Sequence, residues 1–191
     1  MTILSATKWP TNSALIADCE RLGYIKGKVL DPTYGLGNFY KEFRPARLVA
    51  GDLITESMVR LDFTKLPFAN KVFDTVIYDP PYKLNGTPTD YVDTRYGVGS
   101  YTRWQDRMAL MIQGQVECAR VVAKGGFLLT KCMDQVVSGK VRFQSDVLSN
   151  VCPLEKVDEL LFLTNPREQP HARQIHSRRN YSHLLVFQRV S

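Results

Sequence analysis

The chain has 191 residues, of which 44% are hydrophobic, and it carries a formal net charge of +6. This length and apolar content suffice for one domain with a substantial core, and no linker rich in Pro, Gly or Ser divides it. No run of about 18 apolar residues occurs and residues 1–9 do not resemble a secretory signal, so we predict a cytoplasmic protein without a membrane span. The positive charge favours a polyanionic partner, although many soluble proteins are equally basic.

The four cysteines give no sign of a metal site. No two of them have C-x-x-C spacing, and all lie in apolar or helical patterns, at Cys19, Cys118, Cys132 and Cys152. We therefore predict reduced, mostly buried thiols and no bound metal.

Hydrophobic periodicity predicts alternating helices and strands along the chain. The predicted elements are a helix over 12–22, strand 28–32, helix 37–43, strands 47–51, 58–61 and 72–78, helix 104–122, strand 126–132, helix 140–150, and strands 156–163 and 182–189. This order predicts an α/β fold with a doubly wound, mostly parallel sheet in one domain over 1–191. Only a loop separates the last two strands, so we expect them to pair as an antiparallel hairpin at one edge of the sheet.

The first motif follows the first predicted strand, where Asp31 leads into the turn Tyr34-Gly35-Leu36-Gly37. Strand, glycine turn and helix form the first unit of a nucleotide-binding α/β sheet. Tyr40 stands where a dinucleotide fingerprint has its third glycine, so a pyrophosphate cradle is not well supported. We expect exposed backbone N–H groups at Gly35 and Gly37, near a helix N-terminus.

The second motif ends the apolar strand over 72–78 with Asp79, Pro80, Pro81 and Tyr82. The prolines remove backbone N–H groups and fix φ, so the chain can continue neither as a strand nor as a helix. An ionised Asp79 is acceptor-only and, with the Pro80 carbonyl, can accept both hydrogens of an exocyclic amino group. Tyr82 offers a face on which a base can stack.

An Asp-Pro-Pro-Tyr run at the end of an apolar strand resembles the catalytic motif of the amino-methyltransferases, which methylate N6 of adenine or N4 of cytosine in nucleic acid. The resemblance implies a Rossmann-like methyltransferase fold, with seven strands and a reversed last strand, and S-adenosylmethionine as cofactor. It also implies catalytic roles for Asp79, Pro80, Pro81 and Tyr82. Asp in the first position is commoner among adenine enzymes, so we expect N6 of adenine. We expect DNA rather than RNA as the substrate.

The predicted cofactor site follows from this resemblance and from the strand ends. Asp31 and the glycine turn suit the methionyl amine and carboxylate, and Asp52 lies about 20 residues beyond the first motif, the spacing of a ribose-binding acid. Asp62 and Phe63 are candidates for the adenine, although an Asp at a strand end is equally often a turn residue. The predicted cofactor-binding residues are Asn12, Asp31, Pro32, Thr33, Gly35, Gly37, Asp52, Asp62 and Phe63.

Two segments are predicted to touch the substrate. Residues 83–103 have no regular period and interleave aromatic and basic side chains, which predicts a mobile lid; the alternative is a surface insertion. Residues 165–181 concentrate arginines and histidines, which predicts a phosphate contact; the alternative is a solvated face. The predicted substrate residues are Lys83, Tyr96, Tyr101, Arg103, Lys131, Arg173, Arg178 and Arg179.

Alternatives remain at this point. The chain is too short for the usual target-recognition region, so sequence specificity is open, as is the choice between monomer and homodimer. An RNA base methyltransferase would use the same motifs on an exposed base. A non-catalytic nucleic-acid-binding partner of a methyltransferase is a third possibility, although both motifs are intact.

Overall fold

The computed structural model describes residues 9–53, 59–84, 103–164, 175–177 and 179–191. These residues form three α-helices: α1 (Asn12–Arg21), α2 (Trp104–Val121) and α3 (Gln144–Val151). The strands are β1 (Lys28–Asp31), β2 (Arg47–Asp52), β3 (Val59–Arg60), β4 (Phe73–Tyr78), β5 (Val122–Cys132), β6 (Gln135–Val137), β7 (Lys140–Arg142), β8 (Glu155–Leu163) and β9 (Tyr181–Gln188). No helix within these ranges is both long and apolar enough to cross a bilayer.

The described strands form a seven-stranded sheet in the order β3-β2-β1-β4-β5-β9-β8, with β6 and β7 in a separate hairpin. β1 to β5 run parallel, whereas β9 is antiparallel to both β5 and β8. The predicted doubly wound, mostly parallel fold, its reversed last strand and the antiparallel pair at one edge are confirmed. The strand order changes direction between β1 and β4, and ligands of open α/β sheets bind outside the carboxyl ends of the strands at such a point.

Neighbouring residues on a strand point to opposite faces of the sheet, and both faces are covered by packed side chains. On one face Leu30 and Tyr78 pack with Met111 of α2. On the other, Val29 and Ile77 form a second core cluster with residues of α1. The side chains of Asp31, Asp79 and Lys131 alternate in step with the second set, so they belong to the α1 face of the sheet.

The predicted helix over 37–43 is wrong, since the structure has a single 3-10 turn at Asn38–Tyr40. Gly37 enters this turn at φ 69°, and a Cβ there would lie 2.5 Å from the Tyr34 hydroxyl. Pro45 disfavours the helical conformation at Arg44, which stops the turn from growing into a helix.

The predicted helix over 140–150 is also wrong in its first half. Ser138 and Gly139 both have positive φ, 50° and 73°, so they form the two-residue turn of the β6–β7 hairpin, and the helix starts only at Gln144. A lone two-stranded hairpin is marginally stable in water. Here Val137 secures it by packing with Leu84 and Met108.

Candidate active site

The two sequence motifs meet at the carboxyl ends of β1 and β4. Thr33 joins them: its Oγ1 accepts the backbone N–H of Asp79 at 2.8 Å and donates to Asp31 Oδ1 at 3.1 Å. Thr33 is buried, so this bridge is shielded from water. The turn after β1 therefore fixes the start of the Asp-Pro-Pro-Tyr turn.

Asp31 is a buried carboxyl group held by three donors. Oδ1 accepts from the Thr33 N–H at 2.9 Å and from its hydroxyl, and Oδ2 accepts from the Tyr40 hydroxyl at 2.7 Å. Burial, opposed by these hydrogen bonds and supported by the charge of nearby Asp79, raises the pKa of Asp31 to about 7. The sequence did not predict this hydrogen bond from Tyr40, because the position was considered only as the one where a dinucleotide fingerprint has its third glycine.

Asp79 has a different environment. Its Oδ1 is buried and has no hydrogen-bond partner among the residues described. Burial raises the pKa of Asp79, and the charge of Lys131 opposes that rise. A buried acceptor without a donor is costly to the fold, and such groups in native proteins call for an explanation.

Lys131 places a cation beside this acid. It is 3% exposed, and its Nζ donates to the Asn12 side-chain oxygen at 2.9 Å. The same ammonium lies 5.8 Å from the centre of the Tyr82 ring and 5.3 Å from that of Phe39. The structure thus brings together Asn12, Lys131 and Tyr82, which the sequence placed more than 40 residues apart in predicted cofactor, substrate and catalytic roles.

Backbone groups of the segment after the two buried prolines are held by side chains from three elements. The carbonyl of Tyr82 accepts from Gln135 Nε2 at 2.6 Å and Gln144 Nε2 at 2.8 Å. The Leu84 N–H donates to Gln135 Oε1 at 3.1 Å, and Arg107 donates to the Lys83 carbonyl at 2.9 Å. Sequence reasoning missed these contacts, because nothing in a single Gln or Arg indicates which distant carbonyl it reaches.

The glycine turn is organised by Asp52. Its Oδ2 accepts the Gly35 N–H at 3.0 Å, while the Gly37 N–H donates to the Tyr34 carbonyl at 2.9 Å. The expectation that both N–H groups are exposed near a helix N-terminus is therefore wrong, since both are bonded within the protein. Asp52 is buried at the end of β2, and Pro32 is buried beside Asp31.

Asp62 and Phe63, the two residues predicted to bind the adenine, contact other residues of the protein. Asp62 is exposed, and its Oδ1 accepts the N–H and hydroxyl of Thr64 at 2.8 and 2.6 Å, as a turn residue does. Phe63 is buried, with its ring centre 5.5 Å from that of Tyr78. Their contact with a cofactor stays a prediction.

The predicted substrate residues are only partly described. Arg103 is exposed and forms two bonds to Asp106, at 2.9 and 3.1 Å. Arg179 donates to the carbonyl and hydroxyl of Ser177, both at 2.7 Å. Most of the predicted lid and basic loop lies outside the described residues, including Tyr96, Tyr101, Arg173 and Arg178.

All four cysteines are free, three of them buried and Cys152 half-buried, as predicted. In the part of the chain that the structure describes, no group of three or more His, Cys, Asp or Glu side chains is arranged to hold a metal ion.

Solved structures share the fold of this chain. The N-methyltransferase NodS from Bradyrhizobium japonicum WM9 matches with a TM-score of 0.56 and 14% identity, covering 94% of each chain. TrmN from Thermus thermophilus matches with a TM-score of 0.57 and 16% identity, over 93% of this chain and 48% of TrmN. A second NodS structure, a complex with S-adenosyl-L-homocysteine, has a TM-score of 0.53 and 12% identity over 94% of this chain and 86% of NodS. These similarities confirm a methyltransferase-like fold.

TTHA0409, also from Thermus thermophilus, matches with 13% identity and a TM-score of 0.44 over 65% of this chain. The present chain spans about half the length of TTHA0409 and of TrmN, at 48% of each. No protein-family model and no curated protein sequence matches it.

Proposed function

We propose that this protein transfers the methyl group of S-adenosylmethionine to an exocyclic amino group of a base in nucleic acid, and that the preferred target is N6 of adenine in DNA. The observation that carries the proposal is the buried Asp79 Oδ1, which lacks a donor within the described residues and directly precedes two prolines. An amino group of a base is a donor of the kind this acceptor requires.

The cofactor assignment is supported by the fold and by the polar groups at the switch point between β1 and β4. NodS, which shares the fold, has been solved with S-adenosyl-L-homocysteine. Here the carboxyl of Asp31 is the group assigned to the methionyl amine, and each of its oxygens can accept more than one hydrogen bond. Asp52, whose carboxylate can likewise accept several hydrogen bonds, is assigned to the ribose. When bound, the cofactor supplies a methyl group that is already activated on a positively charged sulfur.

The residues of the turn orient the acceptor. Asp79 and the Pro80 carbonyl accept the two amino hydrogens, and Tyr82 stacks on the base, which leaves the stack of the nucleic acid to enter the site. As the new N–C bond forms and the S–C bond breaks, a proton leaves the nitrogen for Asp79 or water. Positioning in a site with little water provides the rate enhancement, and Thr33, Gln135 and Gln144 support that positioning.

The proposal is tested by offering the protein methyl-labelled S-adenosylmethionine with duplex DNA, single-stranded DNA or structured RNA, and then digesting the nucleic acid to nucleosides for mass spectrometry. We expect labelled N6-methyladenine from DNA. N4-methylcytosine would contradict the choice of base only, and methylation of RNA alone would support the RNA alternative. 5-Methylcytosine, or no labelled nucleoside at all, would contradict the chemistry.

A further inference from the structure

A basic and aromatic surface lies at the hairpin that the sequence did not predict. We define the hairpin surface as Lys140, Arg142, Phe143 and Arg179. The Arg142 guanidinium stacks 4.0 Å from the centre of the Trp104 ring, and that of Arg179 lies 5.8 Å from the Phe143 ring. Lys140 is exposed, as is Phe143 at 46%. These four positions carry three cations and no acid.

The Nε atoms of Arg142 and Arg179 are buried and have no hydrogen-bond partner in the described ranges, so a ligand would have to be bound by the terminal nitrogens of each guanidinium group. Nη1 of Arg179 already donates to Ser177. Stacking against a ring fixes the plane of a guanidinium group but satisfies none of its donors. A planar fork held in this way suits phosphate oxygens and base edges.

The hairpin surface is joined to the catalytic turn. Gln135, the first residue of the hairpin, bonds the backbone of Tyr82 and Leu84, and Gln144, which follows Phe143, bonds the same Tyr82 carbonyl. Val137 packs on Leu84. A strand held by the hairpin surface would therefore lie beside the turn that contains Asp79 and Tyr82.

We propose that the hairpin surface binds the sugar-phosphate backbone next to the target nucleotide and so sets the position of that nucleotide relative to Asp79. This inference rests on the proposed function for its substrate class. It adds Lys140, Arg142 and Phe143 to the interface, where they would position the nucleic acid without reading its sequence. Two arginines that lie over aromatic rings, together with the exposed Lys140, favour nucleic acid, whose phosphates bind the charges and whose bases stack on aromatic side chains.

The test compares two variants that each lose three positive charges. The first is Lys140→Gln, Arg142→Gln and Arg179→Gln. The matched control is Lys26→Gln, Lys28→Gln and Lys124→Gln, at the amino ends of β1 and β5, where the Lys26 and Lys28 ammonium groups also lie over rings. Affinity for a mixed-sequence duplex and for its single strand is measured by fluorescence anisotropy at several salt concentrations, and affinity for S-adenosylmethionine by calorimetry.

We expect the hairpin variant to lose about tenfold or more in DNA affinity at low salt, and its salt slope to fall by about 2 to 3 on duplex, roughly one for each lost phosphate contact. The control should keep the wild-type slope, and both variants should keep the wild-type affinity for the cofactor. Because the triple change could disturb the hairpin, Lys140→Glu at its exposed end serves as a second variant, with a loss of several-fold expected.

Equal losses in the hairpin variant and the control would overturn the inference, as would unchanged binding in both hairpin variants or a wild-type protein that binds no nucleic acid. Failure of the proposed function would be recognised separately, as a wild-type protein that binds no S-adenosylmethionine or transfers no methyl group.

Discussion

Polar groups at the amino ends of β1 and β4 differ in their hydrogen bonding from those at the carboxyl ends. At the amino ends, the N–H of Lys28 donates to Asp74 at 2.7 Å and the N–H of Lys26 donates to Thr75 at 3.0 Å, while the lysine side chains lie over aromatic rings. At the carboxyl ends, Asp31 is buried with a raised pKa, and one oxygen of Asp79 is buried without a donor among the described residues.

The polar groups at the amino ends therefore stabilise the fold, whereas those at the carboxyl ends destabilise it. The bonds to Asp74 and Thr75 satisfy backbone donors that the sheet leaves over, so they stabilise the folded chain. The acids at the other end are buried away from the water that would stabilise their ionised forms, which costs stability. Buried acids with shifted pKa values cluster at functional sites, so the carboxyl end is where we place the chemistry.

The largest effect is expected from removing the acid at one end and comparing it with its counterpart at the other. Asp79→Asn should lower methyl transfer by about a hundredfold or more while the chain keeps its cofactor affinity, because the amide cannot accept as the carboxylate does. Asp74→Asn, on the same strand, is the control and should keep its activity per folded molecule. Methyl-transfer rates of the two variants are measured with labelled cofactor and corrected for the folded fraction. Equal losses of activity in both variants would contradict the functional difference between the two ends of the strands.

Asp31→Asn should weaken S-adenosylmethionine binding by about 1 to 3 kcal/mol, the range for a lost hydrogen bond to a charged group. The same change should stabilise the fold. Because burial raises the pKa of Asp31 in the folded protein, the wild type loses folding stability as pH rises towards about 7. Asparagine does not titrate, so the variant does not lose stability in this way. The melting temperature of the variant should therefore exceed that of the wild type by more at about pH 8 than at about pH 5. A constant difference would argue against a buried, titrating Asp31.

Lys131→Met keeps the length of the side chain and removes its charge. Since Lys131 lowers the pKa of Asp79, the variant should need a higher pH to ionise that acid. We expect the acidic limb of the pH–rate profile to move upward and activity near neutral pH to fall by about tenfold, with recovery in alkaline buffer. A uniform loss at every pH would show instead that Lys131 acts through packing or through Asn12.

The smallest effect is expected at His183, a buried imidazole that lies between two acids near the same edge. Its Nδ1 lies 2.5 Å from Glu159 Oε1 and its Nε2 lies 3.4 Å from Asp134 Oδ2. Burial lowers the pKa of His183, but the two acids outweigh this effect and raise that pKa above its ordinary value. Its charge therefore stabilises the fold at low pH, and this contribution is lost as pH rises through the folded pKa. His183→Gln should cost about 1 kcal/mol more in unfolding free energy near pH 6 than near pH 9, as measured by urea denaturation. Cofactor affinity should not change.

Much of the fold could be predicted, because hydrophobic periodicity reports strands that are buried on both faces. The strands at 28–31 and 73–78 and their neighbours in sequence lie close to the predicted positions. The errors lie where local geometry overrides periodicity. Gly37 and Pro45 restrict the expected helix at 37–43 to one turn, and the positive φ of Ser138 and Gly139 converts the start of another into a hairpin.

The site could be predicted only in part. The motifs placed Asp31 and Asp79 at the carboxyl ends of two predicted parallel strands, and such ends share one edge of a sheet. That these two strands are neighbours comes from the structure. The bridge through Thr33 and the grip of Gln135 and Gln144 on Tyr82 join residues up to 62 positions apart. Such contacts depend on how the loops pack, which no local pattern records.

The central claim is that the carboxyl ends of β1 and β4 bind S-adenosylmethionine for transfer of its methyl group. Calorimetric titration of the wild-type protein and of Asp31→Asn and Asp79→Asn with S-adenosylmethionine tests it most directly. We predict binding at one site in the wild type, nearly equal affinity in Asp79→Asn, and weaker affinity in Asp31→Asn. A folded wild-type protein that binds no S-adenosylmethionine would contradict the account.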